Sequence, residues 1–217
     1  MIKCIIIANG SSPSKNQITF FQKNGYNTLI CADGGANSVA KLGLIPDYII
    51  GDMDSILPAT FKKFQDKCEI IQIKRQNDTD VEKCLKFAIK KKCDEVILLG
   101  ATGDRLDHSF CNLGIVLKFF KQIKVKIVHG KSILEAITGN KLLETIPGET
   151  ISLYGFDKKT KITSVGLKYP LKNSSLIFGI KESTSNRSIR KKIRLQVKGG
   201  KIFIIRDFET LRKNGLV

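Results

Sequence analysis

The sequence predicts an α/β fold, with a parallel-sheet domain over residues 1–130 followed by an all-β domain over residues 131–217. Three observations predict it. Short apolar runs alternate with helical patterns up to about residue 130, as a parallel sheet covered on both faces requires. Beyond His129 the runs are separated by turn residues such as Pro147-Gly148 and Gly199-Gly200, with no convincing helix between them, which points to an antiparallel sandwich or barrel. Acidic residues also recur where the strands of the first part end, and in a parallel sheet those loops meet in one crevice.

The apolar run Lys3 to Ala8 reads as a strand closed by the turn-forming Asn9-Gly10-Ser11. Thr28 to Ala32 reads as a second, followed by Asp33-Gly34-Gly35-Ala36-Asn37 and a helical segment closed by Gly43. Two glycines between strand and helix let backbone N–H groups approach an anion, and Gly-Gly is equally an ordinary tight turn. Tyr48 to Ile50 leads into Gly51-Asp52-Met53-Asp54-Ser55, and Pro58 opens the next helix. Glu69 to Ile73 precedes a helix capped by Thr79, with Glu82 at capping-box spacing and Asp80 in the first turn. Glu95 to Leu99 runs into Gly100–His108, and the apolar spacing Leu106, Phe110, Leu113, Leu117 predicts a helix that opens around Asp107 and His108. Lys124 to Val128 is the sixth strand, and His129 reads as an ordinary histidine.

In the second part the expected strands are 133–138, 141–146, 150–154, 161–167, 174–178, 192–197 and 201–206. Residues 179–187 form its most polar stretch and read as a solvated turn.

A chain of 217 residues can bury a sizeable core. Its 37 Lys+Arg against 20 Asp+Glu give a net charge of +17, spread along the chain with few interleaved aromatics. That pattern describes a lysine-rich surface favourable to polyphosphates better than a nucleic-acid stripe. The N-terminus turns polar too early for a signal peptide, and no apolar run is long enough to span a bilayer, so a cytoplasmic protein is expected. The six cysteines include no Cys-x-x-Cys pair and are expected to be reduced.

Asp52 and Asp54, one residue apart on what reads as an extended segment, would repel each other unless a cation or a proton intervenes. Oxygen-only ligands at a strand exit suit Mg2+. A cap at Asp54 or Ser55 would explain the loop without a metal, but Asp33, Asp52, Asp54, Asp80 and Asp107 together exceed what capping alone places at one end of a sheet.

Taken together, Asp33-Gly34-Gly35-Ala36-Asn37, Gly51-Asp52-Met53-Asp54-Ser55, Gln76 with Thr79-Asp80, Gly103 with Arg105-Leu106-Asp107-His108 and Asn112, and Ser185-Asn186 resemble the thiamine pyrophosphokinase family in kind and order. The resemblance implies a Rossmann-like nucleotide-binding catalytic domain, a β-sandwich thiamine-binding domain, and a homodimer with active sites at the subunit interface. It implies transfer of pyrophosphate from ATP to thiamine, giving thiamine diphosphate and AMP, with Mg2+ as cofactor. Carried onto this chain, Asp52, Asp54 and Asp80 form the metal and catalytic centre with Arg105, while Asp33, Gly34, Gly35, Asn37, Arg105 and His108 serve ATP. Gln76, Asp107, Ser185 and Asn186 serve thiamine. The chain departs from the family at Asn77, where many members carry Asp, at Asp104, where Gly is common, and at Arg187, where an acid is frequent; it also has no Trp to stack on the thiazolium. A pterin alcohol as acceptor and a nucleic-acid-binding protein are the competing readings.

Overall fold

The computed structural model describes residues 1–75, 77–103 and 105–217. The chain divides into two compact units, Met1–Gly130 and Lys131–Val217. In the first, β1 (Ile2–Ile7), β2 (Thr28–Ala32), β3 (Tyr48–Gly51), β4 (Glu69–Gln72), β5 (Cys93–Leu99) and β6 (Lys124–His129) pair in parallel in the order β6-β5-β1-β2-β3-β4. The helices between them are α1 (Lys15–Lys23), α2 (Gly35–Lys41), α3 (Pro58–Phe64), α4 (Asp80–Lys90) and α5 (Leu106–Lys118).

The central strands are buried along their length: Ile5, Ile6, Ile7, Ile30, Ile49, Ile50, Val96, Ile97 and Leu98 are each at most 1% exposed. This is why they read as unbroken apolar runs instead of alternating ones. From β1 the chain steps outward through β2, β3 and β4, then returns to the other side of β1 for β5 and β6. The direction of winding therefore reverses between β1 and β5, and in such sheets the crevice opens there, beyond the carboxyl ends. The loops after these two strands stay zipped past the ladder, with Ala8 N donating to Leu99 O at 2.8 Å and Gly10 N to Gly100 O at 2.8 Å.

The second unit contains β7 (Ser132–Glu144), β8 (Thr150–Tyr154), β9 (Lys161–Val165), β10 (Ser183–Arg187) and β11 (Lys192–Asp207), all antiparallel, then α6 (Phe208–Lys213). It departs from the sequence expectation in four places. The runs 133–138 and 141–146 are one strand, because Gly139 takes a positive φ and the ladder to β11 continues through it. The runs on either side of Gly199-Gly200 are likewise one strand, which bends at a bulge where Gly199 sits at φ +79°. Residues 174–178 contribute a single bridge, Ser174 to Ile162, and bury Leu176 in the core. The polar stretch ending at Arg187 is strand β10, paired with β8; with few apolar side chains, it shows no alternation for a sequence reading to find. Helix α6 adds a turn-length element capped by Asp207, whose carboxylate accepts from Thr210 N at 2.6 Å. The core of the unit gathers Ile137, Ile151, Leu153, Ile162, Leu195 and Ile204 with their neighbours.

Candidate active site

At the β1/β5 reversal of the first unit lies an open crevice of about 730 Å³, within the range of small-molecule sites. Strand exits build about half of its wall: Ala8–Gly10 after β1, Asp33 and Gly34 after β2, Asp52, Asp54 and Ser55 after β3, and Gly100–Gly103 after β5. The openings of α4 and α5 complete it with Asn77–Val81, Lys83, Arg105, Asp107, His108 and Asn112.

Asp33, Asp52 and Asp80 each bring a carboxylate oxygen to within 4.8 Å of the other two. Their approach depends on Gly51, where a Cβ would stand 2.7 Å from Asp33 Cβ and 3.1 Å from Asp80 Oδ1. Asp33 is 1% exposed and adopts φ +41°. Its Oδ2 accepts from Asp54 N at 3.1 Å and Ser55 N at 3.2 Å, so this side chain shapes the neighbouring acidic loop. Among the described residues, its buried Oδ1 has no hydrogen-bond partner. Burial pushes the Asp33 carboxyl up to about 6; the Ser55 N–H opposes that rise, and Asp80, Asp52 and Asp54 add to it.

The acidic loop is not extended as its sequence suggests. Met53 turns back at φ +70°, and Gln72 Nε2 clamps Asp52 O at 2.9 Å. Asp54 therefore faces the crevice from its exposed edge, next to Asp33 and with Oδ1 accepting from Ser55 Oγ at 2.8 Å, and is not one of the three acids whose oxygens converge.

Thr79 caps α4, accepting from Glu82 N at 3.2 Å, which sets Asp80 at the helix start. The Glu82 carboxylate, expected to close a capping box, instead accepts from Lys118 Nζ at 2.8 and 2.9 Å. One turn into α4, Lys83 brings its ammonium to 2.8 Å from Asp80 Oδ1 and 3.8 Å from Asp52 Oδ2. Its side chain is only 2% exposed. Burial opposes that charge, but Asp80 above all, with Asp52 and Asp33, holds the lysine pKa above its ordinary value. The sequence reading missed Lys83. The signal was there, in an acid and a lysine three residues apart in the first turn of a helix that opens at a strand exit.

The remaining candidates fall in several places. Gly34 lines the crevice, whereas Gly35 and Asn37 do not. A Cβ on Gly35 would meet Ile7 O at 2.1 Å, so that glycine serves helix–strand packing. The Asn37 amide donates to Ser55 O and accepts from Leu57 N, both at 3.0 Å, and so pins the far side of the acidic loop. Arg105, Asp107 and His108 form an exposed rim, where Arg105 and Asp107 pair at 2.5 Å. The Arg105 guanidinium holds the Asp107 carboxyl down at about 2. Asn112, buried below the rim, donates to Ala101 O at 2.7 Å and fixes the loop after β5.

Ser185 and Asn186 belong to the second unit. Ser185 is exposed at φ +56°, and its N donates to Ser152 Oγ at 3.0 Å. Asn186 is 1% exposed, with its amide bonded to both backbone groups of Tyr169, to Ser183 Oγ and to Arg187 N. Gln76 and the departure at Asp104 lie outside the described residues.

Comparison with known proteins matches residues 22–129 to the family described as "Thiamin pyrophosphokinase, catalytic domain" and residues 140–202 to "Thiamin pyrophosphokinase, vitamin B1 binding domain". The chain is 27% identical over 191 residues to thiamin pyrophosphokinase 1 of Caenorhabditis elegans, covering 81% of this chain and 77% of that protein. Against thiamine pyrophosphokinase 3 of Oryza sativa subsp. japonica it is 30% identical over 186 residues, covering 72% and 69%. The crystal structure of thiamine pyrophosphokinase from Bacillus subtilis superimposes with a TM-score of 0.82 at 24% identity, covering 94% of this chain and 98% of that one. That from Geobacillus thermodenitrificans gives 0.80 at 26% identity, covering 95% and 97%. Both descriptions match in order along most of its length, and the chain belongs to the thiamine pyrophosphokinase family.

Proposed function

We propose that the crevice of the first unit is where this chain, as a transferase of that family, moves the terminal pyrophosphoryl group of ATP to the hydroxyethyl oxygen of thiamine, releasing AMP. The observation that carries the reading is the convergence of Asp33, Asp52 and Asp80 around one point, with a buried Asp33 oxygen left without a partner among the described residues. Buried unpaired oxygens are uncommon in folded proteins, and one that stands beside two further carboxylates suits a cation or an ordered water.

Oxygen-only donors with room for phosphate fit Mg2+, held by Asp52 and Asp80 with Asp33 behind them and Asp54 at the open edge. When bound, the metal would neutralise charge around the α–β bridge of ATP, where the pyrophosphoryl group departs. The chain's own residues would do the rest. The Gly34 backbone lets the nucleotide approach the sheet, Lys83 supplies positive charge from below, and Arg105 and His108 meet the phosphates from the rim. One of the crevice carboxylates accepts the hydroxyl proton of thiamine. Catalysis of this kind rests on positioning and charge more than on covalent chemistry.

The reading extends to a Rossmann-like first domain and a β-sandwich second domain. We assign thiamine recognition to Gln76, Asp107 and the segment around Ser185. Asn186 supports that segment, since its amide bonds brace the strand and the Tyr169 turn. The reading also includes a homodimer whose active sites draw on both copies, which would cover exposed apolar side chains such as Leu106, Phe110, Phe178 and Ile180. Six free thiols suit a reducing compartment, the cytoplasm in this reading.

The test is a reaction of the purified protein with ATP, Mg2+ and thiamine, resolving AMP and thiamine diphosphate. Equal formation of the two supports the proposal. AMP alone assigns a different acceptor, and neither product, with salt-sensitive oligonucleotide binding instead, overturns it.

A further inference from the structure

Two cations have a claim on the same oxygens. Lys83 Nζ bonds Asp80 Oδ1 at 2.8 Å and lies 3.8 Å from Asp52 Oδ2, and these two residues supply two of the three acids that converge in the crevice. A divalent ion bound by those carboxylates would face an ammonium at close range. The ammonium is enclosed where it stands. Lys83 sits in the opening of α4, where Val81, Cys84 and Leu85 are also buried, and the whole residue is 3% exposed. If a metal takes its partners, it needs another acceptor within the crevice, and a bound nucleotide brings phosphate oxygens there.

We propose that Lys83 is the resident cation of the crevice: it occupies Asp80 and Asp52 until a metal–nucleotide complex arrives, then passes to a phosphate oxygen as the metal takes the carboxylates. The inference rests on the metal–nucleotide reading of the crevice and adds an order to it. Metal alone is held back, and metal with nucleotide is admitted. No covalent bond changes in this exchange; one ammonium–carboxylate contact is replaced by an ammonium–phosphate contact. The unpartnered Asp33 Oδ1 is the independent sign that the cluster is completed by a ligand, because Lys83 in its present position leaves that oxygen unsatisfied.

The test uses Mn2+ as the probe, titrated into the full chain without nucleotide and followed by the paramagnetic resonance of the free ion. Lys83→Met keeps the length of the stem and removes the charge, whereas Lys83→Arg keeps the charge. The expected result is that Lys83→Met binds Mn2+ about tenfold more tightly than the wild type, while Lys83→Arg stays near it. With ATP added, the gain in Mn2+ affinity should be large for the wild type and small for Lys83→Met. Equal or weaker Mn2+ binding by Lys83→Met overturns the proposal.

The variant leaves acids without their cation and is expected to be less stable, so melting is followed in parallel. Mn2+ should raise the melting temperature of Lys83→Met more than that of the wild type. A variant that stays unfolded with Mn2+ present also overturns the proposal. Failure of the underlying reading is seen separately, as a wild type that makes neither AMP nor thiamine diphosphate.

Discussion

Asp52 and Asn186 were both singled out by the same family resemblance, yet their surroundings differ. Asp52 is partly exposed in an acidic crevice, with Lys83 close to its carboxylate. Asp52→Asn keeps the shape and removes the charge, so steady-state assay should find turnover abolished while the melting temperature stays within a few degrees of the wild type. Near-normal turnover would remove this loop from the mechanism. Asn186 is enclosed and bonds Tyr169 through both its carbonyl and its amino group. Asn186→Ala leaves those backbone groups unpaired and should cost about 2 kcal/mol in urea unfolding, with or without thiamine. At this scale the sequence revealed most of the acids, because carboxylates at strand exits are visible as residue types. It did not reveal that Asn37 and Asn186 turn inward as braces, or that Lys83 turns inward as a counter-ion. Those are facts of side-chain direction, set by which face of an element is buried.

Among the elements, the parallel strands were the most legible, since burial on both faces gives unbroken apolar runs at β1, β2, β3 and β5. The antiparallel unit was harder. Glycines at 139 and 199 carry strands through bends where a turn was expected, and polar β10 is held by backbone pairing with β8. A separate group of side chains sits at the amino ends of the first sheet. Glu95, near the start of β5, accepts from the Tyr26 hydroxyl and pairs with Lys126 at 2.7 Å and Lys124 at 3.4 Å. Burial alone would raise its pKa, but the bonds from Lys126 and Tyr26 outweigh that and bring it down to about 2. A carboxyl whose pKa is depressed by folding stabilises the protein above its unfolded value, near 4.5, and loses that contribution as pH falls toward 2. The shift corresponds to roughly 3 kcal/mol. Glu95→Gln should therefore lower stability at neutral pH and flatten its decline between those two pH values. Urea titrations across that range check both effects.

For the molecule as a whole, a net charge of +17 surrounds a crevice lined by Asp33, Asp52, Asp54 and Asp80. The distant field attracts a polyphosphate, and the local one favours a cationic acceptor. Raising the ionic strength from about 0.05 M to about 0.5 M should raise the KM for ATP severalfold, with a smaller effect on thiamine. Equal sensitivity of the two would assign the salt effect to something other than the surface lysines. The net charge was legible from composition, but which end of the sheet carried the acids followed only from the parallel topology.

That topology keeps two concerns apart. In the first unit the acids of the crevice stand beyond the carboxyl ends of the strands, while Tyr26, Glu95, Lys124 and Lys126 tie the amino ends together. Substitutions at the two rims should combine additively, as well-separated sites usually do. A protein engineer seeking a hardier variant could then work at the amino-end rim alone, away from the usual conflict between robustness and turnover. Over generations, one rim is free to drift under selection for persistence while the other is held by selection for chemistry.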